Sequence, residues 1–454
     1  MNISTVTAGQ PSPIRKHGGL DRAGRVVNKK LHETCQRVSH WRGPRHLRRI
    51  TAMKIAFYSP FWPVTRAQNG IVTYVDIMTR ALQAAGHECV VITPRMLDEG
   101  AADDKTLYVM DPAPKSGVRS LWPRLSAGVF GAGRLIGRSL AARLERALER
   151  ASTAAPVDII DIEESFGMAR FIKGAPTAVR LHGPHFLGHV GDRSEEDRRR
   201  IASEGRAIQS AGGVTSPSPG LLAATKDYYR EVAPLNAAIG NPVEFPPDDQ
   251  CWRRENCDPN LILFVGRFDL RKGADVMLEA FSRLAKTHKS LRLVMAGKDS
   301  GIPLDSGETL AYEAYVKRLF SDDIRERVRF LGPVSPAKVN ELRRQALVYV
   351  SSSRFECCAY AVTETLAMGC PAVASSTFGP PEYLKVGEEI LVFDIGDADG
   401  LAAQLEMLLG DPRRAEELGA AGRYGARAAF APEKIVTDMV SFYGDVIARK
   451  ASAS

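Results

Sequence analysis

The chain lacks two features that would place it in a membrane or in an oxidising compartment. No apolar run in its 454 residues approaches the roughly 20 that a helix needs to cross a bilayer. No Cys-x-x-Cys pair occurs, and the cysteines are an odd set without paired spacing. These absences favour a reducing, cytoplasmic compartment, with the protein either soluble or bound peripherally at the inner face of the membrane. The cysteines are Cys35, Cys89, Cys251, Cys257, Cys357, Cys358 and Cys370.

Excess positive charge is absent outside the first 52 residues. The formal net charge is +8, but residues 1–52 contain 11 Lys or Arg against only Asp21 and Glu33. The remaining 402 residues carry 50 basic and 51 acidic side chains. The main body is therefore not a basic protein, and its charge does not predict a nucleic-acid partner.

Residues 1–52 are expected to form a basic, disordered leader. They mix Arg, Lys, His, Gly and Pro with few large apolar residues, and they have no apolar core of a secretory signal. Met53 then opens MKIAFYSPFWP, a strand and a turn that read like a natural protein start. A dispensable leader is the first interpretation. An arm that contacts a membrane surface or a partner, and a contact with nucleic acid, are the alternatives.

Short apolar runs alternate with helical segments from Met53 onward, and this pattern predicts parallel sheets covered on both faces. The fold class is α/β, with two Rossmann-like, doubly wound domains facing a cleft. The first domain is expected at 53–243 and the second at 257–431, joined by the Pro- and Asp-rich GNPVEFPPDDQCWRREN. A last helix, 432–450, is expected to return to the first domain.

Glu356 and Glu364 are the most informative pair. The pattern predicts a strand at ALVYVSSS, a helix from about Ala361 to Met368 and a stop at Gly369, so Glu356 lies on the loop and Glu364 on the helix. Eight residues of a regular helix would separate the two acids by roughly 12 Å, too far to share one proton. We expect them to bind two parts of one extended ligand, Glu364 accepting from ribose hydroxyls and Glu356 from sugar hydroxyls. The alternative for Glu364 is an exposed carboxylate that complements the positive end of its helix.

Polar residues at other strand ends add to this pattern, because ligands bind beyond the carboxyl ends of parallel strands. In GRFDLRKG, Arg267 and Lys272 flank a loop that leads into a helix, as a diphosphate site requires. The alternative is a solvated loop. His182 follows the strand TAVRL and suits a contact with a sugar hydroxyl, although a lone histidine is more often structural. Gly70, at the start of the first helix, could offer its amide to phosphate or be only a helix-entry residue.

Two further matches favour ordinary structure over chemistry. GAGRLIG, 131–137, resembles a dinucleotide fingerprint, but no clear strand precedes it and it continues into a basic helix. Asp397 and Asp399 form an Asp-x-Asp such as metal-dependent sugar transferases use, but they stand directly before a helix, where Asp serves as a cap. No metal site is predicted.

Taken together, the residues resemble the retaining glycosyltransferases of family 4, or group 1, which have the GT-B fold. The resemblance covers 53–450. It rests on the order and spacing of IVTYVDIMTRALQAAGHECVVITP, GNPV, GR with KG five and six residues after the Arg, VRFLG, and Glu-x7-Glu followed by AMGCPAVAS. It implies an acceptor-binding first domain, a nucleotide-sugar-binding second domain, and no metal or other cofactor.

By this resemblance, His182, Glu356, Arg267 and Lys272 are the catalytic residues. Arg267 and Lys272 would hold the donor diphosphate, Glu364 the ribose and Glu356 the transferred sugar. Asn69 replaces the first glycine of the family's Gly-Gly loop, and ECCAYAV departs from the usual Gly and Phe after the first Glu. That departure is expected to reshape the sugar pocket. The other donor-binding residues implied are Gly70, Arg329, Phe330, Cys357, Cys358, Ala359, Tyr360 and Ala361.

The activity implied is transfer of a hexosyl unit from a nucleoside diphosphate sugar, UDP ahead of GDP and ADP, with retention at the anomeric carbon. The acceptor would be a glycan or a lipid-linked glycan, in polysaccharide or lipid-linked glycan biosynthesis. Acceptor groups are expected near Phe61, Trp62, Arg66 and His185. Epimerisation or hydrolysis of the sugar nucleotide on the same fold, and a catalytically silent sugar-nucleotide-binding protein, are the alternatives.

The leader prediction can be tested by deletion. A protein that starts at Met53 is expected to keep the turnover of the full chain, because the motifs all lie after that residue. Steady-state turnover of the two forms, measured side by side, checks it. A collapse of turnover in the shorter form would contradict a dispensable leader.

Overall fold

The first sheet has, within the described residues, seven parallel strands in the order β3-β2-β1-β4-β5-β6-β7. The computed structural model describes residues 52–64, 69–97, 106–111, 132–188 and 193–453, so the predicted leader lies outside the described residues apart from Ala52. All five residues of β1 and of β4 are buried, as expected for strands covered on both faces. The strands are β1 Lys54–Tyr58, β2 Glu88–Thr93, β3 Leu107–Val109, β4 Ile159–Glu163, β5 Thr177–Arg180, β6 Gly213–Ser216 and β7 Asn236–Ala238.

Helices cover this sheet, and side-chain caps begin three of those in the described ranges. The Asn69 side chain accepts from the Ile71 amide, Ser194 forms a capping box with Asp197, and Ser218 accepts from the Leu221 amide. The helices are α1 Gly70–Ala84, α2 Ala132–Ala151, α3 Glu195–Ser210 and α4 Pro219–Tyr229, with 3₁₀ turns at Ser165–Phe171 and His185–Leu187.

The second sheet has six parallel strands in the order β12-β9-β8-β13-β14-β15. Its central strand β13 is the apolar run ALVYVS, which is buried throughout. A separate antiparallel hairpin, β10 with β11, follows β9. The strands are β8 Asp258–Val265, β9 Arg292–Ala296, β10 Ile302–Pro303, β11 Thr309–Leu310, β12 Val328–Phe330, β13 Ala346–Ser351, β14 Ala372–Ser375 and β15 Leu391–Phe393.

Helices also cover the second sheet, and α9 matches the helix predicted to carry Glu364. It begins one residue before the predicted start, and Gly369, at φ 76°, follows its end. The helices are α5 Ala274–Thr287, α6 Tyr312–Leu319, α7 Asp322–Arg325, α8 Pro336–Gln345, α9 Tyr360–Ala367, α10 Ala398–Gly410 and α11 Pro412–Phe430.

The last helix, α12 Pro432–Ala453, packs against the first domain. Its buried side chains Ile435 and Met439 join the apolar cluster under α1 and β1. The Tyr443 hydroxyl donates to Asp161 Oδ2 on β4 at 2.6 Å, and the Tyr74 hydroxyl donates to the same oxygen at 3.3 Å. The final helix is therefore held to the first sheet by both packing and a buried hydrogen bond.

The chain crosses between the domains twice, and the crossings lie together. The amide of Val243, in the linker, donates to the carbonyl of Phe430, at the end of α11, at 3.0 Å. Arg180 is fully buried at the end of β5 and donates to the carbonyl of Ile239 at 2.8 Å and to the Asn241 side chain. The linker is thus anchored to the first sheet on one side and to α11 on the other.

Most strands agree with the sequence prediction, and the differences are short or local. The pattern did not predict β3, β7 or the β10–β11 hairpin, which have two or three residues in each strand. The helix predicted from Gly400 is followed by a second helix, α11, because Asp411 ends α10 and caps the next one.

The proposed domain bounds stay a prediction. No helix in the described ranges is long and apolar enough to cross a membrane.

The glycine-rich match at 131–137 and the Asp397-x-Asp399 match both have roles in packing or helix capping in the described structure. Gly133 and Gly137 lie within α2, and Gly131 lies outside the described residues. A Cβ on Gly137 would lie 2.2 Å from the Phe166 carbonyl oxygen, so this glycine permits close packing of α2. Asp397 accepts from the amides of Asp399 and Gly400, as a helix cap does, and Asp399 forms an ion pair with Arg283 at 2.7 Å.

Loss of the Tyr443 hydroxyl is expected to destabilise the protein. Tyr443→Phe leaves the buried Asp161 without its shorter hydrogen bond, which should lower the free energy of unfolding by about 1–3 kcal/mol. Tyr424→Phe on α11 is the control, because that side chain is 77% exposed. Urea unfolding compares the two variants, and equal midpoints would contradict the structural role of this bond.

Candidate active site

A cavity of about 420 Å³ lies between the two sheets, where strands of both end. The first domain contributes the start of α1 and the residues that follow β4 and β5. The second contributes the ends of β8 and β13, the loop before α5 and the segment from Glu356 into α9. This is the position that the sequence predicted for a ligand of two parallel-sheet domains.

Lys272 and Glu356 meet in this cavity. The Lys272 ammonium contacts Glu356 Oε1 directly, and the Ser353 hydroxyl donates to the same oxygen at 2.7 Å. Glu356 is only 8% exposed, so its charge is compensated inside the protein. The two residues stand 84 positions apart in the chain, yet they form one polar centre.

Gly273 allows the two loops of this centre to approach each other. It has φ 68°, and a Cβ there would lie 1.8 Å from the Ser352 carbonyl oxygen. The Ser352 hydroxyl donates to the Gly273 carbonyl at 2.8 Å. Any other residue at 273 would push the Lys272 loop away from the strand end that carries Glu356.

Arg354 fastens the same two loops. Its amide donates to the Arg271 carbonyl at 2.8 Å, and its guanidinium binds both carboxylate oxygens of Asp275 at 2.6 Å. The ion pair is bidentate, and both side chains are largely buried from solvent. The Lys272–Glu356 contact therefore rests on a rigid frame.

His182 lies on the first-domain wall of the cavity. Its amide and that of Gly183 donate to the two oxygens of Glu164 at 3.0 and 2.7 Å, and its ring meets the edge of Tyr74 with centroids 5.2 Å apart. Burial, reinforced by the Arg180 guanidinium, lowers the pKa of His182 to about 3. The imidazole is therefore neutral and can donate or accept a hydrogen bond without carrying charge.

The segment Cys357 to Ala361 reaches across to the first domain. Cys357 packs into the first domain's apolar cluster, with its Sγ 3.5 Å from a Cβ placed on Gly183, and the Tyr360 ring lies beside Gly70. Burial raises the pKa of Cys358 to about 12, so its thiol stays protonated. Ala359 has φ 48°, a strained conformation for a residue with a Cβ.

Four predicted donor-site residues lie outside the cavity lining, as do Phe61, Trp62 and His185 of the predicted acceptor region, and Arg66 lies outside the described residues. Arg267 forms an ion pair with Asp269 at 2.9 Å, and Glu364 Oε2 accepts from the buried Arg343 at 2.7 Å. Phe330 stacks on Tyr312, and Arg329 is exposed on the edge strand β12. The structure thus brings Gly70, His182, Lys272, Glu356, Cys357, Cys358, Ala359, Tyr360 and Ala361 together and leaves Arg267, Glu364, Arg329 and Phe330 outside the lining, and the roles given to all of them stay predictions.

The sequence analysis missed two acidic residues of the cavity, Glu163 and Glu164. Glu163 is the last residue of the buried strand β4 and Glu164 follows it, so the strand-end rule that selected His182 could have selected them. Burial raises the pKa of Glu163 to about 7, and burial with the nearby Glu204 and Glu163 carboxylates raises that of Glu164 to about 8. Arg271 also lines the cavity, with its guanidinium over the Phe355 ring.

The fold and the cavity define a two-domain protein of the GT-B class. Sucrose-phosphate synthase from Thermosynechococcus elongatus has this fold and superposes with a TM-score of 0.63 at 20% identity, covering 88% of this chain and 100% of that one. Anabaena HepE, solved in complex with UDP-glucose, gives a TM-score of 0.59 at 16% identity, covering 88% and 100%.

Two family models match the chain, one over β2 to β6 of the first sheet and one over the second sheet. "Glycosyl transferase 4-like domain" matches residues 69–234, and "Glycosyl transferases group 1" matches residues 252–424. Together the matches cover most of the chain. The chain belongs to the group 1, family 4 glycosyltransferases.

Curated relatives agree with this assignment over part of their length. The D-inositol 3-phosphate glycosyltransferase of Acidothermus cellulolyticus is 28% identical over 297 residues, 60% of this chain and 63% of that protein. The mannosylfructose-phosphate synthase of Agrobacterium fabrum is 27% identical over 273 residues, 55% of this chain and 60% of that protein. The chain thus spans less than two thirds of the length of these relatives.

The buried Glu163 predicts a pH-dependent stability. Its folded pKa is raised above the unfolded value, so the cost of burying the ionised form is absent below about pH 4.5 and complete above about pH 7. Glu163→Gln imitates the protonated carboxyl. It should raise the free energy of unfolding by on the order of 2 kcal/mol at about pH 8 and have little effect near pH 5.

Chemical denaturation of wild type and Glu163→Gln at both pH values measures this difference. Glu196→Gln, on the exposed first turn of α3, is the control for a change of one charge. A Glu163→Gln protein that is less stable than wild type by the same amount at both pH values would contradict the prediction.

Proposed function

We propose that this protein transfers a glycosyl unit from a nucleoside diphosphate sugar to an acceptor hydroxyl, with retention at the anomeric carbon. The observation that carries the proposal is the contact of Lys272 with Glu356 in a cavity between two parallel sheets. A cation and a carboxylate side by side offer one partner for phosphate oxygens and another for sugar hydroxyls. Membership of the glycosyltransferase family supports the same reaction class.

Lys272 and Glu356 exchange partners when donor binds, in this proposal. Without donor, each compensates the charge of the other. With donor, the Lys272 ammonium turns to the diphosphate, and Glu356 accepts from hydroxyls of the transferred sugar while Ser353 still holds its Oε1. Arg271 lines the same cavity and supplies a second cation. Arg267 would contribute after release from Asp269.

The ribose and base would lie beyond the cavity, toward α8 and β12. Arg343 holds Glu364 Oε2 and also donates to the Ala361 carbonyl at 3.2 Å, so it fixes the carboxylate to the start of α9. Glu364 itself is 41% exposed and accessible to two ribose hydroxyls through its other oxygen. The backbone near Arg329 and Phe330 is proposed to border the base.

Retention is proposed to follow a front-face displacement. The bond from the anomeric carbon to the diphosphate oxygen breaks as the acceptor oxygen bonds to the same face, and the acceptor proton passes to the leaving diphosphate. Lys272 and Arg271 stabilise the charge that develops there. The neutral His182 lies on the opposite wall, where it can hydrogen-bond a hydroxyl of the transferred sugar. Trapping of a covalent glycosyl-enzyme would overturn this step.

The donor is proposed to be a UDP-sugar and the setting polysaccharide or lipid-linked glycan biosynthesis, with catalysis independent of metal. A cytoplasmic location, soluble or peripheral at the membrane, belongs to the same proposal. The HepE complex with UDP-glucose motivates that donor as the first to test. Among the described residues, no three His, Cys, Asp or Glu side chains group as metal ligands do.

A donor screen followed by turnover tests the proposal. UDP-, GDP- and ADP-glucose are compared by thermal shift in EDTA, and the true donor should raise Tm increasingly with concentration. The double variant Lys272→Met/Glu356→Gln removes both charges without leaving one unpaired. It is expected to fold, to bind donor roughly 10–100-fold more weakly and to lose transfer. Lys289→Ala, an exposed lysine of the same domain, is the control.

The outcomes separate the alternatives. Turnover of the donor with no acceptor present favours an epimerase or hydrolase, and donor binding without transfer across a broad acceptor panel favours a silent binding protein. No thermal shift with any of the three donors would contradict the proposed function. Loss of turnover in EDTA that Mg²⁺ restores would contradict metal independence.

A further inference from the structure

The first-domain wall of the cavity carries carboxyl groups. Glu163, Glu164 and Ser165, at the end of β4, line it beside His182 and Gly183. Among the described residues, the first domain contributes no Lys or Arg to the lining. His182 adds no charge, because its pKa is lowered to about 3. The cations of the cavity, Lys272 and Arg271, both come from the second domain.

Only one of the three buried carboxylates near this wall has an oxygen without a described partner. Glu164 accepts the amides of His182 and Gly183, one on each oxygen. Glu204 accepts from the His185 amide at 2.8 Å and from Arg200 at 3.0 Å. Glu163 receives one hydrogen bond in the described structure, from the Ser165 hydroxyl to Oε2 at 3.1 Å. Its Oε1 is therefore the acceptor that this wall offers to a ligand.

Arg200, a cation that acts on Glu163 from behind the wall, is already engaged. Arg200 binds Glu204 and lies over the Phe166 ring, 4.8 Å from its centroid. A phosphate placed against Glu163 would meet the carboxyl groups of Glu163, Glu164 and Glu204, which become charged as the pH rises through their raised pKa values, and it would meet no Lys or Arg of the first domain among the described lining residues. A hydroxyl, by contrast, donates to a carboxylate and adds no charge.

We propose that the acceptor is an uncharged, hydroxyl-rich molecule, and that Glu163 selects it by accepting a hydrogen bond from a hydroxyl next to the one that is glycosylated. This inference rests on the proposed function and names its second substrate. It separates this chain from relatives whose names carry a phosphorylated substrate, such as D-inositol 3-phosphate glycosyltransferase. Glu163 is thus a specificity-determining residue in the acceptor subsite.

Matched acceptor pairs test the proposal. Release of the nucleoside diphosphate from the donor found in the thermal-shift screen is measured with myo-inositol against inositol 3-phosphate and with fructose against fructose 6-phosphate. Wild type is expected to prefer the uncharged member of a pair by at least about tenfold in kcat/KM. At about pH 8, above the raised pKa of Glu163, Glu163→Gln keeps the shape of the side chain but removes its charge, and it should raise the KM for that acceptor by about tenfold or more, with the donor KM unchanged.

A gain-of-charge variant gives an independent measurement. Ser165→Lys places a cation beside Glu163 and should narrow or reverse the preference, in favour of the phosphorylated member. Glu196→Gln is the charge-matched control and should leave both KM values as in wild type. Tm and the donor-induced shift are measured for every variant, so that loss of folding is not mistaken for loss of acceptor binding.

Three results would overturn the proposal. They are preference of wild type for the phosphorylated members, an unchanged acceptor KM in Glu163→Gln, and failure to use either uncharged acceptor by a protein that binds and turns over its donor. A fourth result, no donor-induced rise in the Tm of wild type, concerns the proposed function before any acceptor is tested. That result refutes the proposed glycosyl transfer together with the inference built on it.

Discussion

The candidate site depends on one joint, the attachment of the loop before α5 to the loop after β13. The bidentate ion pair of Arg354 with Asp275 and the close approach of Gly273 to Ser352 hold this joint together. Each loop alone is a polar connection at the end of a strand. Joined, they place the Lys272 ammonium on Glu356 and give the second domain a wall with both signs of charge.

The two domains give the cavity chemically different walls. The second domain supplies Lys272 and Arg271, which suit a diphosphate, while the end of β4 supplies Glu163 and Glu164, which suit hydroxyls. The segment of Cys357 to Tyr360 links the walls, because it belongs to the second domain and packs on the first. A cavity with cations on one wall and carboxyl groups on the other therefore exists only when the two domains are packed together.

The sequence predicted the strands that are long and buried, because an apolar run between polar loops has few other structures open to it. It also placed Glu356 and Lys272 in loops that follow strands of a parallel sheet, and the family resemblance gave both residues to one donor molecule. It could not predict the pairing of Glu364 with Arg343 or of Arg267 with Asp269, because such ion pairs depend on side-chain rotamers and on tertiary contacts that the sequence pattern does not show. Glu163 was within reach of the same strand-end rule that selected His182.

The neighbouring chain crossings at Val243 and Phe430 limit how the cavity can change shape. One hydrogen bond joins these two points, and the linker is bound to Arg180 on one side of it. The domains are also joined where the Gly220 amide donates to Glu382 and the Tyr383 hydroxyl donates to the Pro217 carbonyl. A rotation of the domains about the crossings that widens the cavity would separate Tyr360 from Gly70 and Cys357 from Gly183, and it would strain these two hydrogen bonds.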